Sequence, residues 1–422
     1  MSYSLVYPGK KDFGVPYFRA LPSKSRQGMQ HQKHNKLSKP ATGHFGRREW
    51  AITGTACHTI QTLARALADR LGPSFRIAWV DADHKGASNA ETPGFAFTYT
   101  DKIQFHRYDA LEKLSPWQHR ARFNETDLVL INGNHFAGAR QIVALDRRKF
   151  DSLQRKADRL TQVDFFLGDA ADPNFATPSE LPEALKQQLP NWAGLPVLDL
   201  RDIEGMVAFL KPFLAAPPLQ ALILTGGKST RMGQDKATLD YHGQPQWKQV
   251  RNLLQTAGID RIFLSCRADQ VESYGTEAVI ADTFLDLGPM GAILSAFRHN
   301  PDAAWLVVAC DLPLLDAAAL RYLVQHRRPS AVATAFRQPL PPDADNAVKP
   351  AGFPEPLIAV WEPKSYPVLL QFLAQGISCP RKALINSDTH LLDAPDPQVL
   401  HNANTPEERE QMLRILQAPA QA

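Results

Sequence analysis

Residues 220–239, QALILTGGKSTRMGQDKATL, constrain the fold more than any other stretch of the chain. Ala221, Leu222, Ile223 and Leu224 form a short apolar run that ends at Thr225, Gly226 and Gly227. Such a run reads as a buried strand passing into a tight turn. Two glycines let the backbone turn sharply and bring its N–H groups close to a ligand. Lys228, Arg231 and Lys236 follow within nine positions. A glycine turn closing a buried strand, with cations behind it, suits a polyphosphate. A lone GG is more often an ordinary strand–helix turn with surface lysines. Here Gly233 and Asp235 in the same run favour the ligand. No G-x-x-x-x-G-K-[ST] or G-x-G-x-x-G fits the stretch, so it is neither a Walker loop nor a dinucleotide fingerprint.

The same strand–glycine–helix order occurs earlier. Trp50, Ala51 and Ile52 run into Thr53 and Gly54, and Ile60, Leu63, Leu67 and Leu71 then mark one helical face. Further strands are expected over 77–80, ending at Asp81-Ala82-Asp83-His84, over 127–131 (DLVLI), ending at Asn132-Gly133-Asn134-His135, and over 142–145. Leu181, Leu185 and Leu189 predict a helix, Val197 and Leu198 a short strand, and Ile203 to Leu214 a helical face. Alternating strands and helices imply an α/β fold with parallel sheets.

Ala215-Ala216-Pro217-Pro218 interrupts that pattern and marks a domain boundary. The expected organisation is a basic N-terminal arm (1–48), an α/β domain (49–214), a linker (215–219) and a second α/β domain (220–422). In the arm, Lys33, Lys36, Lys39, Arg47 and Arg48 interleave with His31, His34 and His44, which reads as a solvated tail. In the second domain, strands are expected over 261–266, 278–281, 304–309, 331–335 and 357–361. Helices are expected after Pro245, over 292–297, after Asp316 as cap, over 368–373, and after the capping box Thr405-Pro406-Glu407-Glu408. Residues 336–355, rich in proline and alanine, read as a loop.

Composition narrows the function classes. A net charge of +4 is too small to indicate nucleic acid by itself, and no apolar run reaches the roughly 18 residues that span a bilayer. Cys57, Cys266, Cys310 and Cys379 stand apart with no CxxC, which fits reduced thiols and a cytoplasmic protein.

The run Leu224, Gly226, Gly227, Ser229, Arg231, Met232, Gly233, Asp235, Lys236, Leu239 resembles the L-x-G-G-x-S-x-R-M-G-x-D-K-x-x-L signature of nucleotidyltransferases similar to molybdenum cofactor guanylyltransferase. Cys310-Asp311-Leu312-Pro313 matches that family's C-D-x-P, and Asn402-Ala403-Asn404-Thr405-Pro406-Glu407 its N-x-N-T-P-E. Gly288-Pro289-Met290-Gly291 stands where G-P-L-x-G is usual, with its second glycine one position early. The resemblance covers roughly 219–416 and implies a Rossmann-like domain with a mainly parallel sheet. It implies a nucleotide site of Leu224, Thr225, Gly226, Gly227, Lys236, Asp282, Gly288 and Asp311. Arg231 and Lys236 are then the phosphate-neutralising residues, Asp311 is the Mg²⁺ ligand, and Asn402 and Asn404 line the acceptor site. GTP is the implied donor and molybdopterin or molybdenum cofactor the implied acceptor. Molybdoenzymes or other cofactor-synthesis proteins are its further implied partners, with neither membrane nor nucleic acid.

The resemblance implies GTP through Gly226-Gly227, since the family's preference for guanine goes with L-x-G-G, while CTP, or a sugar or alditol phosphate acceptor, is an alternative. A non-catalytic pterin carrier is a third reading, opposed by the intact Arg231, Lys236 and Asp311. Arg381 and Lys382, beside Cys379, are expected to meet the acceptor's phosphate, where cations would favour the thiolate. Residues 47–214 resemble the GTP-binding adaptor of molybdopterin guanine dinucleotide synthesis. Its P-loop is degraded here: Thr59, Ile60 and Gln61 stand where the second glycine, the lysine and the Ser/Thr belong. Catalysis is therefore expected in the C-terminal half alone.

Overall fold

A computed structural model describes residues 45–82, 97–102, 104–110, 114–226, 236–338 and 352–417. These belong to one compact unit. It contains two α/β domains, each built on its own sheet.

The first domain comprises β1 (Arg48–Thr53), α1 (Cys57–Leu71), β2 (Ile77–Val80), β3 (Phe97–Asp101), β4 (His106–Ala110), α2 (Pro116–Phe123), β5 (Leu128–Asn132), β6 (Arg140–Ala144), α3 (Phe150–Gln154), β7 (Val163–Gly168), α4 (Glu183–Gln188), β8 (Val197–Asp199) and α5 (Ile203–Leu210). Six strands form a parallel sheet in the order β2-β5-β1-β6-β7-β8, and β3 and β4 pair as a separate antiparallel hairpin. Ile60, Leu63 and Leu67 of α1 pack with Trp50, Ile52 and Leu130 under this sheet. Gly54 has φ +85°, and a Cβ there would lie 2.4 Å from the Ala144 carbonyl oxygen. Glycine is therefore required for chain geometry at this turn, whatever it binds.

The domain starts earlier than the 48/49 boundary. Arg48 already pairs with Leu128, and Arg47, read as part of a solvated arm, is buried. Its guanidinium donates to the Arg120 carbonyl and to Asn124 Oδ1, and it pairs with Glu49 at 3.0 Å. The remaining arm cations fall outside the described residues, as do Asp83 and His84. The helix predicted from Leu181, Leu185 and Leu189 is shorter, Glu183–Gln188, because Pro182 and Pro190 close it on both sides. The helix expected to reach Leu214 ends at Leu210 and tightens into a 3₁₀ turn, Lys211–Leu214, at Pro212.

The second domain comprises β9 (Leu219–Leu224), α6 (Gln246–Thr256), β10 (Ile262–Cys266), β11 (Val279–Ala281), α7 (Pro289–His299), β12 (Ala304–Ala309), α8 (Ala317–Gln325), β13 (Ala333–Gln338), β14 (Phe353–Trp361), α9 (Ser365–Ala374), α10 (Pro380–Ile385), β15 (Thr389–Leu392) and α11 (Pro406–Gln417). The sheet order is β11-β10-β9-β12-β14-β13-β15. Every pair is parallel except those made by β14, which runs antiparallel to both neighbours. β12 (AWLVVA) is buried at all six positions, as a central parallel strand must be. Two apolar clusters cover the faces of the sheet, one centred on α6 and α8, the other on α7 and α9.

Helix entries follow the sequence signals. Asp316 Oδ1 accepts from the Ala319 amide at 2.7 Å, capping α8. Glu408 and Thr405 exchange the two bonds of a capping box at α11. The expected 336–355 loop is narrower: β13 continues to Gln338 and β14 resumes at Phe353, and residues 339–351 lie outside the described residues.

The domains touch through charges. Lys364, just past β14, donates to Asp127 Oδ1 at 2.5 Å and to the Ser330 carbonyl at 3.0 Å, with both charged partners largely buried. Asp388 pairs with Arg76 of the first domain at 3.0 Å and with Arg328 at 2.7 Å.

Candidate functional site

Strand order reverses between β9 and β12: β10 and β11 follow on one side, β14, β13 and β15 on the other. In open α/β sheets the crevice beyond such strand ends receives ligands. Register brings the two chains out together. Leu224 pairs with Ala309, so Gly226 and Asp311 emerge as neighbours two residues further on.

Gly226 fits tightly. A Cβ there would approach Cys266 Cα at 3.1 Å. The amides of Thr225 and Gly226 both donate to the Ser265 carbonyl, at 3.0 and 2.9 Å. These bonds fix the start of the turn and occupy both amides. Gly227 and Arg231, with the rest of the signature up to Asp235, lie outside the described residues.

Lys236 is where the signature re-enters. Its ammonium lies 2.6 Å from Asn404 Oδ1 and 3.5 Å from Asp311 Oδ2. Three of the predicted residues, from distant parts of the sequence, thus meet at one point. The Ala403 amide donates to the Asp311 carbonyl at 2.8 Å, which ties the Asn402–Asn404 segment to the end of β12. Burial pushes the Asp311 carboxyl above its ordinary range, and the Lys236 charge opposes that rise. Among the described residues, Asp311 Oδ1 and Asn402 Oδ1 are buried acceptors with no hydrogen-bond partner. Unpaired buried acceptors are costly unless a ligand completes them.

Asp282 stands at the end of β11, where its Oδ1 accepts from Ser265 Oγ at 2.8 Å. Burial raises its pKa and this hydrogen bond offsets part of the rise. Gly288 has φ +55° and opens α7, with nothing near the position a Cβ would take. Gly291 has the opposite constraint: a Cβ would lie 2.2 Å from the Phe284 carbonyl oxygen. Its place in the motif is therefore set by helix–loop packing.

Arg381 and Lys382 lie in α10, and Cys379, its N-cap, is exposed. Arg381 Nη2 donates at 3.0 Å to Glu355 Oε2. Glu355 is a residue the sequence pattern missed. It is buried near the start of β14, and the Asp311 charge reaches it. Prolines 354 and 356 hid this segment as loop.

In the first domain the loop after β1 holds no cation. Ile60, at the lysine position, is fully buried in the core. Thr55 Oγ1 donates to Asp146, and Cys57 Sγ lies 3.3 Å from His135 Nε2. Among the described residues no group of three or more His, Cys, Asp or Glu side chains forms a metal cluster, and no helix is long and apolar enough to cross a membrane.

The profile of the MobA-like NTP transferase domain matches residues 221–390. A Pseudomonas putida protein named molybdenum cofactor guanylyltransferase is 31% identical over 198 residues, 46% of this chain and 96% of that protein. A protein of the same name from Xanthomonas euvesicatoria is 42% identical over 114 residues, 26% of this chain and 57% of its own. A Synechocystis protein named molybdenum cofactor biosynthesis bifunctional protein is 33% identical over 200 residues, 47% of this chain and 54% of that protein. The chain thus spans little more than half the length of the last two. Through its C-terminal domain, which carries Lys236, Asp311 and Asn404 in one crevice, the chain belongs to the molybdenum cofactor guanylyltransferase family of nucleotidyltransferases.

Proposed function

We propose that the C-terminal domain transfers GMP from GTP to the terminal phosphate of molybdopterin, or of its molybdenum-loaded form, and releases pyrophosphate. The observation that carries this reading is the Lys236–Asp311–Asn404 cluster at the β9/β12 crevice. An acceptor phosphate oxygen attacks the α-phosphorus in line, the bond to the β-phosphate oxygen breaks, and pyrophosphate takes the electron pair. No general base is needed, because a phosphate dianion is already a nucleophile. The protein's part is positioning and charge neutralisation.

Lys236 is placed to follow the donor's phosphates as charge moves to the leaving group. Asn404 orients the ammonium. Asp311 Oδ1, buried and without a partner among the described residues, fits one ligand of a divalent cation, and Mg²⁺ is the cation proposed. With one protein carboxylate, Mg²⁺ would take its other ligands from nucleotide phosphates and water, as is usual for this ion. When bound, it supplies charge neutralisation at those phosphates. Arg231, Gly227 and Asp282 complete the nucleotide side. Asn402, Asn404, Arg381 and Lys382 form the acceptor side.

The first domain is proposed as a non-hydrolytic scaffold. Support comes from Ile60, which puts a core side chain where a phosphate lysine would stand. The experiment supplies molybdopterin with Mg-GTP or Mg-CTP and follows pyrophosphate and the dinucleotide. Turnover with GTP supports the proposal. Turnover with CTP alone reassigns the base, and none with either refutes it.

A further inference from the structure

We infer that Glu355 is a positioning residue for the acceptor's phosphate, acting by aiming Arg381 into the crevice; this rests on the acceptor side proposed above. Glu355 is 2% exposed, within a strand otherwise built of apolar side chains and prolines. A buried carboxylate needs partners, and among the described residues it has two: the Leu357 amide at 3.1 Å and the Arg381 guanidinium at 3.0 Å. The β12–β14 ladder ends at Val308–Ile358, just before Pro356, which has no N–H to donate. Asp311 follows the end of β12 and Glu355 precedes this last pair on β14, and the Asp311 charge reaches Glu355. The two carboxylates therefore flank the same strand ends, each with its own cation: Lys236 on Asp311, Arg381 on Glu355.

The two cations differ in what they leave free. Among the described residues, Glu355 is the one hydrogen-bond acceptor recorded for Arg381, through Nη2. The Arg381 side chain is 40% exposed, so part of its fork faces solvent, while its Nε is buried without a partner among the described residues. A guanidinium held at one edge by a buried carboxylate keeps its remaining donors in a fixed plane. That plane suits a phosphate, which Arg engages through two parallel N–H groups. The pair divides the work of the crevice: Lys236 and Asp311 serve the donor nucleotide, Glu355 and Arg381 the acceptor.

The test uses the full-length protein and molybdopterin as probe, with Kd from fluorescence quenching and KM from pyrophosphate release at saturating Mg-GTP. Glu355→Ala is expected to weaken molybdopterin binding and raise its KM by about tenfold or more, the loss of an oriented charge-assisted contact. kcat and the KM for GTP should stay within about threefold of the parent. In an Arg381→Ala background, Glu355→Ala should add nothing further. If Glu355→Ala does not fold by circular dichroism, Glu355→Gln keeps the shape and one hydrogen bond. It should show a smaller shift in the same direction. Unchanged molybdopterin affinity in a folded variant overturns the inference. So does an effect that persists without Arg381, or one that falls on GTP instead. A parent protein that does not bind molybdopterin also overturns it. A parent that binds molybdopterin but does not turn over refutes the proposed reaction and leaves the Glu355 comparison readable by Kd.

Discussion

Replacing Lys236 with methionine keeps the aliphatic stem and removes the charge, so it isolates the electrostatic role. Two unit charges 3.5 Å apart interact by about 5 kcal/mol at an effective dielectric of about 20. Both groups retain some solvent contact, so the net coupling is smaller than that. The sign follows from burial. Asp311 already titrates above its ordinary 3.8, and Lys236 holds it down. Without Lys236 the carboxyl rises further. Because the proposed reaction needs ionised Asp311, the acidic limb of activity should move to higher pH. The stability linkage has the matching sign. A carboxyl raised in the folded state contributes stability below pH 3.8 that is lost as pH rises through its folded value. Lys236→Met deepens that loss at neutral pH. Pyrophosphate release measured from pH 5 to 9 should show kcat/KM lowered about 10²- to 10³-fold at neutral pH, the usual effect of losing one preorganised charge contact. A variant within about threefold of the parent, with an unmoved acidic limb, would refute the assignment.

Other substitutions test the frame around the site. Lys364→Met leaves Asp127 buried without its counter-charge and should cost about 3 kcal/mol, read as a lower urea midpoint; an unchanged midpoint contradicts the interdomain pair. Gly54→Ala combines φ +85° with a 2.4 Å approach to the Ala144 carbonyl and should destabilise by about 3 kcal/mol. Its folded fraction should retain parental turnover, and a folded but inactive Gly54→Ala would show that the first domain takes part in catalysis. Gly291→Ala, aimed at the Phe284 carbonyl 2.2 Å away, should displace the start of α7 and raise the KM for GTP about tenfold; an unchanged KM argues that this turn lies outside the nucleotide site.

The sequence made the local pieces of this architecture visible. Apolar runs of three to six residues, followed within two positions by glycine or aspartate, became β1, β5, β9 and β12, since parallel strands buried on both faces carry no polar alternation. Asp316 and Thr405 acted as caps because their side-chain oxygens reach the third helical amide. What the pattern could not supply was register. Lys236 and Asn404 are 168 residues apart, and their contact depends on how β12 and the Asn402–Asn404 segment join. Glu355 stayed hidden for a different reason. Prolines 354 and 356 argue against a strand. Here they sit beyond the β12 ladder, where no hydrogen bond to β12 is required of them. Arg47 was misread because a cation beside a basic tail gives no sign that Glu49, Asn124 and a carbonyl await it.

One crevice, built on Asp311 and Lys236, is proposed to perform nucleotidyl transfer. The most direct measurement is dinucleotide formation from molybdopterin and Mg-GTP by the full chain, beside Asp311→Asn. The account predicts GMP-linked product and one pyrophosphate per turnover in the parent. It predicts a loss of about 10²-fold or more in Asp311→Asn, which keeps the shape but not the charge. Product formed equally well by Asp311→Asn would contradict it.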